Sequence, residues 1–262
     1  MKLKRTGWQR IGQALASVLI ALTVGGPGQA QAAAIDDKAV PVATSFQPWQ
    51  AGFSAVYEVK KGSFTIGETK RTLSLQGDNH YLFESITRPA GFGRLLTSGQ
   101  VIERSEWRFR PQDHLIQPLT YTYFNSGSEK NRDAHLTFDW QTHTVTNTIN
   151  GQPWKMPLVD GTQDKLVYQL RVMADLLNGN RQLNYPVADG GKLKTYQLQI
   201  VGKETIRTDL GLFETLRIRR VHGKRVTTLW CAKQLSYLPV RIEQRKGNDS
   251  PIKAILTSVK GL

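Results

Sequence analysis

From Gly52 onward the chain is a succession of short runs in which apolar and polar residues alternate, the period of strands that bury one face. "GFSAVYEVKKGSFTIGETKRTLSLQGDNHYLFESIT" breaks at "KKGSFTIG" and "QGDNH", where Gly, Ser, Asn and Asp supply turn chemistry. "QVIERSEWRFR", "LTYTYF", "DAHLTFDW" and "HTVTNTIN" continue the pattern. After the middle of the chain come "KLKTYQLQIVGKETIRT", "FETLRIRRV", "KRVTTLWCA", "LPVRIEQRK" and "IKAILTSVK". In "ETLRIRRV", Leu216 and Ile218 alternate with Arg217 and Arg219, which sets the two arginines on the solvent side if the aliphatic pair faces the core.

One segment has a different period. In "GTQDKLVYQLRVMADLLNGN", Leu166, Leu170, Met173 and Leu177 recur at helical spacing, widened by Val167 and Ala174. The spacing predicts a helix over 163–178, with Thr162 capping its start, Asp164 in its first turn and Gly179 ending it. A sheet of roughly ten or more strands curls or splits rather than staying flat. The predicted fold is therefore mainly β: a large curved antiparallel sheet, half-barrel or barrel-like, with one principal amphipathic helix packed against it. A closed barrel or a sandwich is the alternative. No Gly- or Ser-rich linker divides residues 52–262, which read as a single β-rich domain.

The first residues change the setting. Lys2, Lys4, Arg5 and Arg10 precede the apolar run "ALASVLIALTV", and "AQAAA" offers small-residue cleavage sites, so residues 1–34 read as a signal peptide and the protein as exported and periplasmic. The apolar run is too short to span a bilayer comfortably. Residues 35–51 read as an extended leader. The formal charge falls from +14 to +10 once the four basic residues of 1–34 are removed, and that balance suits an anionic lipid, glycan or other envelope component. Export counts against nucleic acid. Cys231 is alone, so there is no internal disulfide, and its place in "TTLWCAK" reads as a small buried apolar residue.

The candidate chemistry is thin. His135, Asp139 and His143 in "HLTFDWQTH" would share one face of a helix as zinc ligands, but two strand-like runs meet at "DWQTH" and part them, so the stretch reads as a hairpin and no metal is expected. There is no G-x-S-x-G elbow, H-E-x-x-H, C-x-x-C or P-loop, and "GFGR" at Gly91–Arg94 lacks the third glycine of a dinucleotide loop, so no cofactor and no catalytic residue are assigned. Glu103 and Glu106, three apart on a strand, point to opposite faces. Asp160 and Asp164 flank the helix start, where carboxylates favour the dipole.

The order "YEVKKGSFTIGE", "RPAGFGRLLTSGQVIERSEW", "PLTYTYFNSG", "LTFDW", "GTQDKLVYQLRV", "YPVADGGKLKTYQLQIVGKE" and "LWCAKQLSYLPVRIEQ" resembles a bacterial family of exported proteins, domain of unknown function three-one-zero-eight, over nearly all of residues 52–260. Cys231 and Lys233 stand where such proteins more usually carry aliphatic and proline residues. The resemblance implies an envelope protein and carries over no catalytic residue. By fold-level analogy the curved sheet is similar to those of periplasmic lipoprotein carriers.

Three functions remain open. The first is an envelope binding or carrier protein for a lipid or other amphipathic anionic ligand. Its tail would lie on the apolar concave face, and Arg217, Arg219, Arg220, Lys224 and Arg225 would meet the head group in peripheral membrane contact. The second is an interaction module with a filled core, engaging protein or glycan through loops such as "RPAGFGRLL", where Phe92, Leu95 and Leu96 form a hydrophobic lip or a buried plug. The third is an unrecognised enzyme acting on envelope polymers. For the basic hairpin, the alternative to a head-group platform is a solvated turn that aids solubility.

Overall fold

In a computed structural model, residues 51–95, 97–127, 132–149 and 151–262 are described. The signal-peptide and leader assignments up to residue 50 lie outside them, as does Leu96. Fourteen strands form one antiparallel sheet: β1 (Phe53–Lys61), β2 (Phe64–Gly77), β3 (His80–Pro89), β4 (Val101–Arg110), β5 (Leu115–Asn125), β6 (Arg132–Asp139), β7 (Thr144–Ile149), β8 (Gln152–Pro157), β9 (Leu183–Asp189), β10 (Lys192–Thr208), β11 (Gly211–His222), β12 (Arg225–Ala232), β13 (Leu238–Lys246) and β14 (Ile252–Lys260). Their order is β8-β7-β6-β5-β4-β3-β2-β1-β14-β13-β12-β11-β10-β9. Two meanders therefore meet where the first strand pairs with the last, Tyr57 opposite Leu256.

Alternation sets the faces as the sequence predicts. In β1, Phe53, Ala55, Tyr57 and Val59 are buried and the residues between them are not. Register shifts at Val56/Tyr57, Glu106/Trp107, Ile200/Gly202 and Trp230/Cys231 mark bulges, which bend strands and increase twist. They curl the sheet around the α-helix α1 (Tyr168–Leu177). Cys231 is fully buried among the core residues, and burial pushes its thiol pKa up.

The helix is also the connection between the sheet's two edges. The chain leaves edge strand β8, crosses the interior through 158–167 and α1, and returns as the opposite edge, β9. Gln163 forms a parallel bridge to Val187, with its N–H on the Pro186 carbonyl at 2.8 Å and the Ala188 N–H on its own carbonyl at 2.9 Å. The edges are not hydrogen-bonded to each other, but the Trp154 indole of β8 donates to the Gly191 carbonyl at 3.1 Å. Gly191 has φ +76, and a Cβ there would lie 2.0 Å from the Trp154 ring, so only glycine fits this seam.

The helix is shorter than the spacing predicts. Its N-cap is Val167, with no side-chain capping bond, and Asp164 rather than Thr162 holds the turn before it: Oδ1 accepts the N–H groups of Leu166 (2.7 Å) and Val167 (2.8 Å), and its carbonyl accepts that of Tyr168 (3.4 Å). The Thr162 hydroxyl turns back to the Val159 carbonyl. Gly179 ends the helix as expected, at φ +80, with the Asn180 N–H on the Asp175 carbonyl and its own N–H on that of Leu176, the paired bonds of a Schellman end. Leu166, Leu170 and Met173 are buried and Leu177 is partly buried, while Val172 and Leu176 bury the flanks as well. The concave face expected to receive a lipid tail is thus occupied by the helix.

Leu170→Asp places an unpaired carboxylate against this packing and should cost about 4 kcal/mol or more. Denaturant unfolding with an unchanged midpoint would show that α1 does not fill the sheet.

Candidate functional site

The inner face carries charge as well as apolar bulk. On β2, alternation turns Thr69, Arg71 and Leu73 inward and leaves Lys70 exposed. The register sets Arg71 opposite Ser85, Ser85 opposite Glu103 and Glu103 opposite Tyr123, a polar rung across four strands. Arg71 is 2% exposed. One terminal nitrogen donates to Gln169 Oε1 of α1 at 2.6 Å, and the guanidinium lies 5.3 Å from the centre of the Tyr57 ring. Its Nε has no partner among the described residues, nor have the Tyr57 hydroxyl, Ser85 Oγ or Glu103 Oε2.

This is poor compensation. Taking an ion out of water costs several kcal/mol. A hydrogen bond to a charged group returns about 1.5–3 kcal/mol, and a cation–π contact about 0.5–2.

Two carboxylates stand behind this rung. Glu103 accepts the Tyr121 hydroxyl at 2.7 Å, and burial raises its pKa to about 7 against the fields of Lys165 and Arg71. Asp164, which holds the turn before the helix, also accepts the Ser105 hydroxyl at 2.5 Å, and burial raises its pKa to about 6. A third acid, Asp189 at the end of β9, is also buried, but Lys165 (3.7 Å) and Lys194 (2.9 Å) outweigh that burial and hold its pKa below the usual range.

Beside these groups lies a cleft of about 20 Å³, lined by Arg71, Lys165 and Arg220 with Tyr168, Gln169 and Tyr196, and floored by Thr227, Leu229, Ile242 and Gln244. Three cations and no carboxylate line it. The Arg220 guanidinium lies 3.3 Å from the centre of the Tyr196 ring. The space suits one water-sized group, such as a single oxyanion oxygen, and is far too small for an acyl chain. A second hollow of about 300 Å³, between the β2–β3 and β4–β5 turns, is open to solvent.

The predicted basic platform is divided by the sheet. Ile218 is buried and Leu216 is partly buried against the core, so Arg217 and Arg219 face outward as predicted. Arg219 is exposed, whereas Arg217 pairs with Glu204 at 3.2 Å, and the same carboxylate oxygen accepts the Trp230 indole N–H at 2.8 Å. Arg220 turns inward to the cleft, so it does not belong to an outer surface shared with Arg217 and Arg219. Lys224 is exposed in the turn. Arg225 is half-buried, its pKa lowered by burial and by Arg220.

Phe92 and Leu95 are 42% and 78% exposed on a 3-10 turn, Gly91–Leu95, a lip rather than a plug. His135, Asp139 and His143 fall on a hairpin, β6 to β7, where Asp139 Oδ1 accepts the N–H groups of Gln141 and Thr142 at 2.9 Å. Glu103 and Glu106 lie on opposite faces, buried and exposed.

Sequence reasoning passed over Arg71, Lys165, Gln169, Tyr168 and Tyr196. A signal for Arg71 was present, since "TKRTL" sets it on the face of Thr69 and Leu73. Lys165 and Tyr196 carried none, because no local pattern shows what a distant strand brings near.

An antiparallel sheet curled around a single helix, its interior partly charged, defines a barrel-like β protein. Residues 56–257 match the family described as "Protein of unknown function (DUF3108)", and the chain belongs to that family. Among solved structures, the crystal structure of a beta-barrel-like protein of domain of unknown function DUF1849 from Brucella abortus is similar, with TM-score 0.51 and 8% identity over 81% of this chain and 98% of that one. At that identity the likeness is one of fold. No curated protein matches. Among the described residues no helix is long and apolar enough to cross a membrane.

Glu103 and Asp164 make stability depend on pH with a definite sign. Both folded-state pKa values lie above the ordinary ones, so the protonated forms favour folding below about pH 4, and that contribution is lost as pH rises through about 6 and 7. Glu103→Gln keeps an acceptor for Tyr121 and removes the penalty of ionisation. Relative to wild type it should gain on the order of 3 kcal/mol between pH 4 and pH 8. Parallel unfolding curves for the two proteins across that range would contradict the assignment.

Proposed function

We propose that the protein is an exported binding protein of the cell envelope whose curved sheet holds an anionic ligand, the charged group seated among Arg71, Lys165 and Arg220. The observation that carries this reading is the inward guanidinium of Arg71, 2% exposed, at a cleft lined by two further cations and no acid. Buried charged groups in folded proteins nearly always have partners, and three cations around one cleft favour an anion there. The family match supports no activity, and the resemblance to exported proteins together with the basic, apolar start of the chain supports the compartment.

The filled interior narrows the ligand. An oxyanion oxygen of a carboxylate or phosphate enters the cleft, and the rest of the molecule stays outside it. The same filled interior favours a second reading, a module that binds protein or glycan by its loops. In that case the cleft cations affect stability but no binding.

Dodecyl phosphate should raise the melting temperature of the protein, and dodecyl maltoside, with the same tail and no charge, should not. Arg220→Gln, which removes one charge-assisted bond, should weaken dodecyl phosphate binding about tenfold or more. Native mass spectrometry of protein isolated from its own envelope should find a bound anion. No shift with dodecyl phosphate, together with ligand-free native protein, would contradict the proposal.

A further inference from the structure

The hydrophobic lip and the basic turns project from the same end of the sheet. Strand register carries one row across it: Arg220 lies opposite Thr227, Thr227 opposite Gln244, Gln244 opposite Ile252, Ile252 opposite Lys61, and Lys61 opposite Phe64. Beyond that row the β11–β12 turn with Lys224 is tied to the β13–β14 turn, the Gly247 N–H donating to the Lys224 carbonyl at 2.7 Å. Four strand spacings, roughly 19 Å, separate β12 from β2. The lip and the basic turns thus fit beneath one footprint.

At the β2 side of this end the apolar groups stand out from the fold. Phe64 is 61% exposed, and its ring lies 5.5 Å from that of Phe92. Phe92 and Leu95 are three apart on the 3-10 turn, where residues at that spacing eclipse one another. The turn is anchored to β2 by the Ala90 N–H on the Ile66 carbonyl and by Gly93, where a Cβ would lie 1.7 Å from that same oxygen. This lip is therefore held in place. Lys61 and exposed Arg94 flank it, and Lys224, Lys246 and Arg245 lie exposed or in the turns to the other side, with Asp249 the acid set against them in the β13–β14 turn.

We propose that this end of the sheet docks on an anionic phospholipid bilayer, Phe64, Phe92 and Leu95 entering the head-group layer while the surrounding cations bind lipid phosphates. The charge fits such a surface, where each nearby cation adds to the attraction. The area fits as well. Three such side chains at these exposures present on the order of 300–400 Å², the size of the largest apolar patch on a typical monomer, which is often functional, and about half of what each partner contributes to a stable protein interface. The row that carries Phe64 also carries Arg220, Thr227 and Gln244 of the cleft, so docking brings the cleft toward the lipid. The docking itself does not depend on the cleft binding anything.

Co-sedimentation with vesicles tests this, using protein purified from expression of the full chain. Wild type should bind phosphatidylglycerol vesicles and not phosphatidylcholine vesicles, and 0.5 M salt should weaken binding because the attraction is screened. Phe64→Ser/Phe92→Ser/Leu95→Ser should lose tenfold or more of that binding with its melting temperature kept, since all three side chains are exposed. Phe64→Trp should show a blue-shifted emission on phosphatidylglycerol vesicles. The same triple variant should keep the dodecyl phosphate response of wild type, which separates this proposal from ligand binding in the cleft. Equal binding to both lipids, a triple variant that binds undiminished, or an unshifted Phe64→Trp spectrum would overturn it.

Discussion

Asp164 is where the sheet, the helix and the cleft are joined. It is fully buried, and both of its oxygens are used: one accepts two N–H groups in the turn that leads into α1, the other the Ser105 hydroxyl of β4. A carboxylate in that position costs desolvation, which is why its pKa rises, and the three donors offset part of the cost. The bonds fix the height and rotation at which the helix enters the curved sheet. From them follow the burial of Leu166 and Leu170, the reach of Gln169 to Arg71, and the place of Lys165 between Asp189 and the cleft.

The fold solves a problem of edges. A single sheet of fourteen strands leaves two unpaired margins, which invite association with other chains. Here the margins are brought near each other around the helix and joined by the Trp154–Gly191 contact and the bridge from Gln163, and both margin strands contain proline, which has no N–H to offer. The cost of filling the interior with the helix is that little room remains there. What room exists is charged, and it lies between the helix start and β10 to β13.

Those same margins limited what could be read from the sequence. β1 to β7 and β10 to β14 announce themselves by alternation, and the helix by its stripe. β8, "QPWKMP", and β9, "LNYPVAD", were not recognised as strands, because Pro153, Pro157 and Pro186 argue against a hydrogen-bonded strand unless it lies at an edge. Thr162 looked like the helix cap because it precedes the stripe by the usual distance. Asp164 instead bonds residues 166 and 167 of a tight turn, and the helix proper begins after it without a side-chain cap. The basic hairpin was legible as a cluster, and alternation alone sets Arg220, three residues after Arg217, on the opposite face, but no local pattern shows the cleft that it meets there. The buried charges were harder still: Arg71, Glu103 and Lys165 come from three separate segments, and their meeting is a property of the curl of the sheet.

The central claim is that the cations inside this curl form a seat for an anion rather than an expensive detail of the core. A crystal structure of the protein taken from its own envelope, without exchange into denaturant or detergent, tests it most directly. The predicted result is density for an oxyanion within hydrogen-bond distance of the Arg71 and Arg220 guanidinium groups. A cleft holding only water, with Arg71 Nε bonded to a protein acceptor, would contradict it.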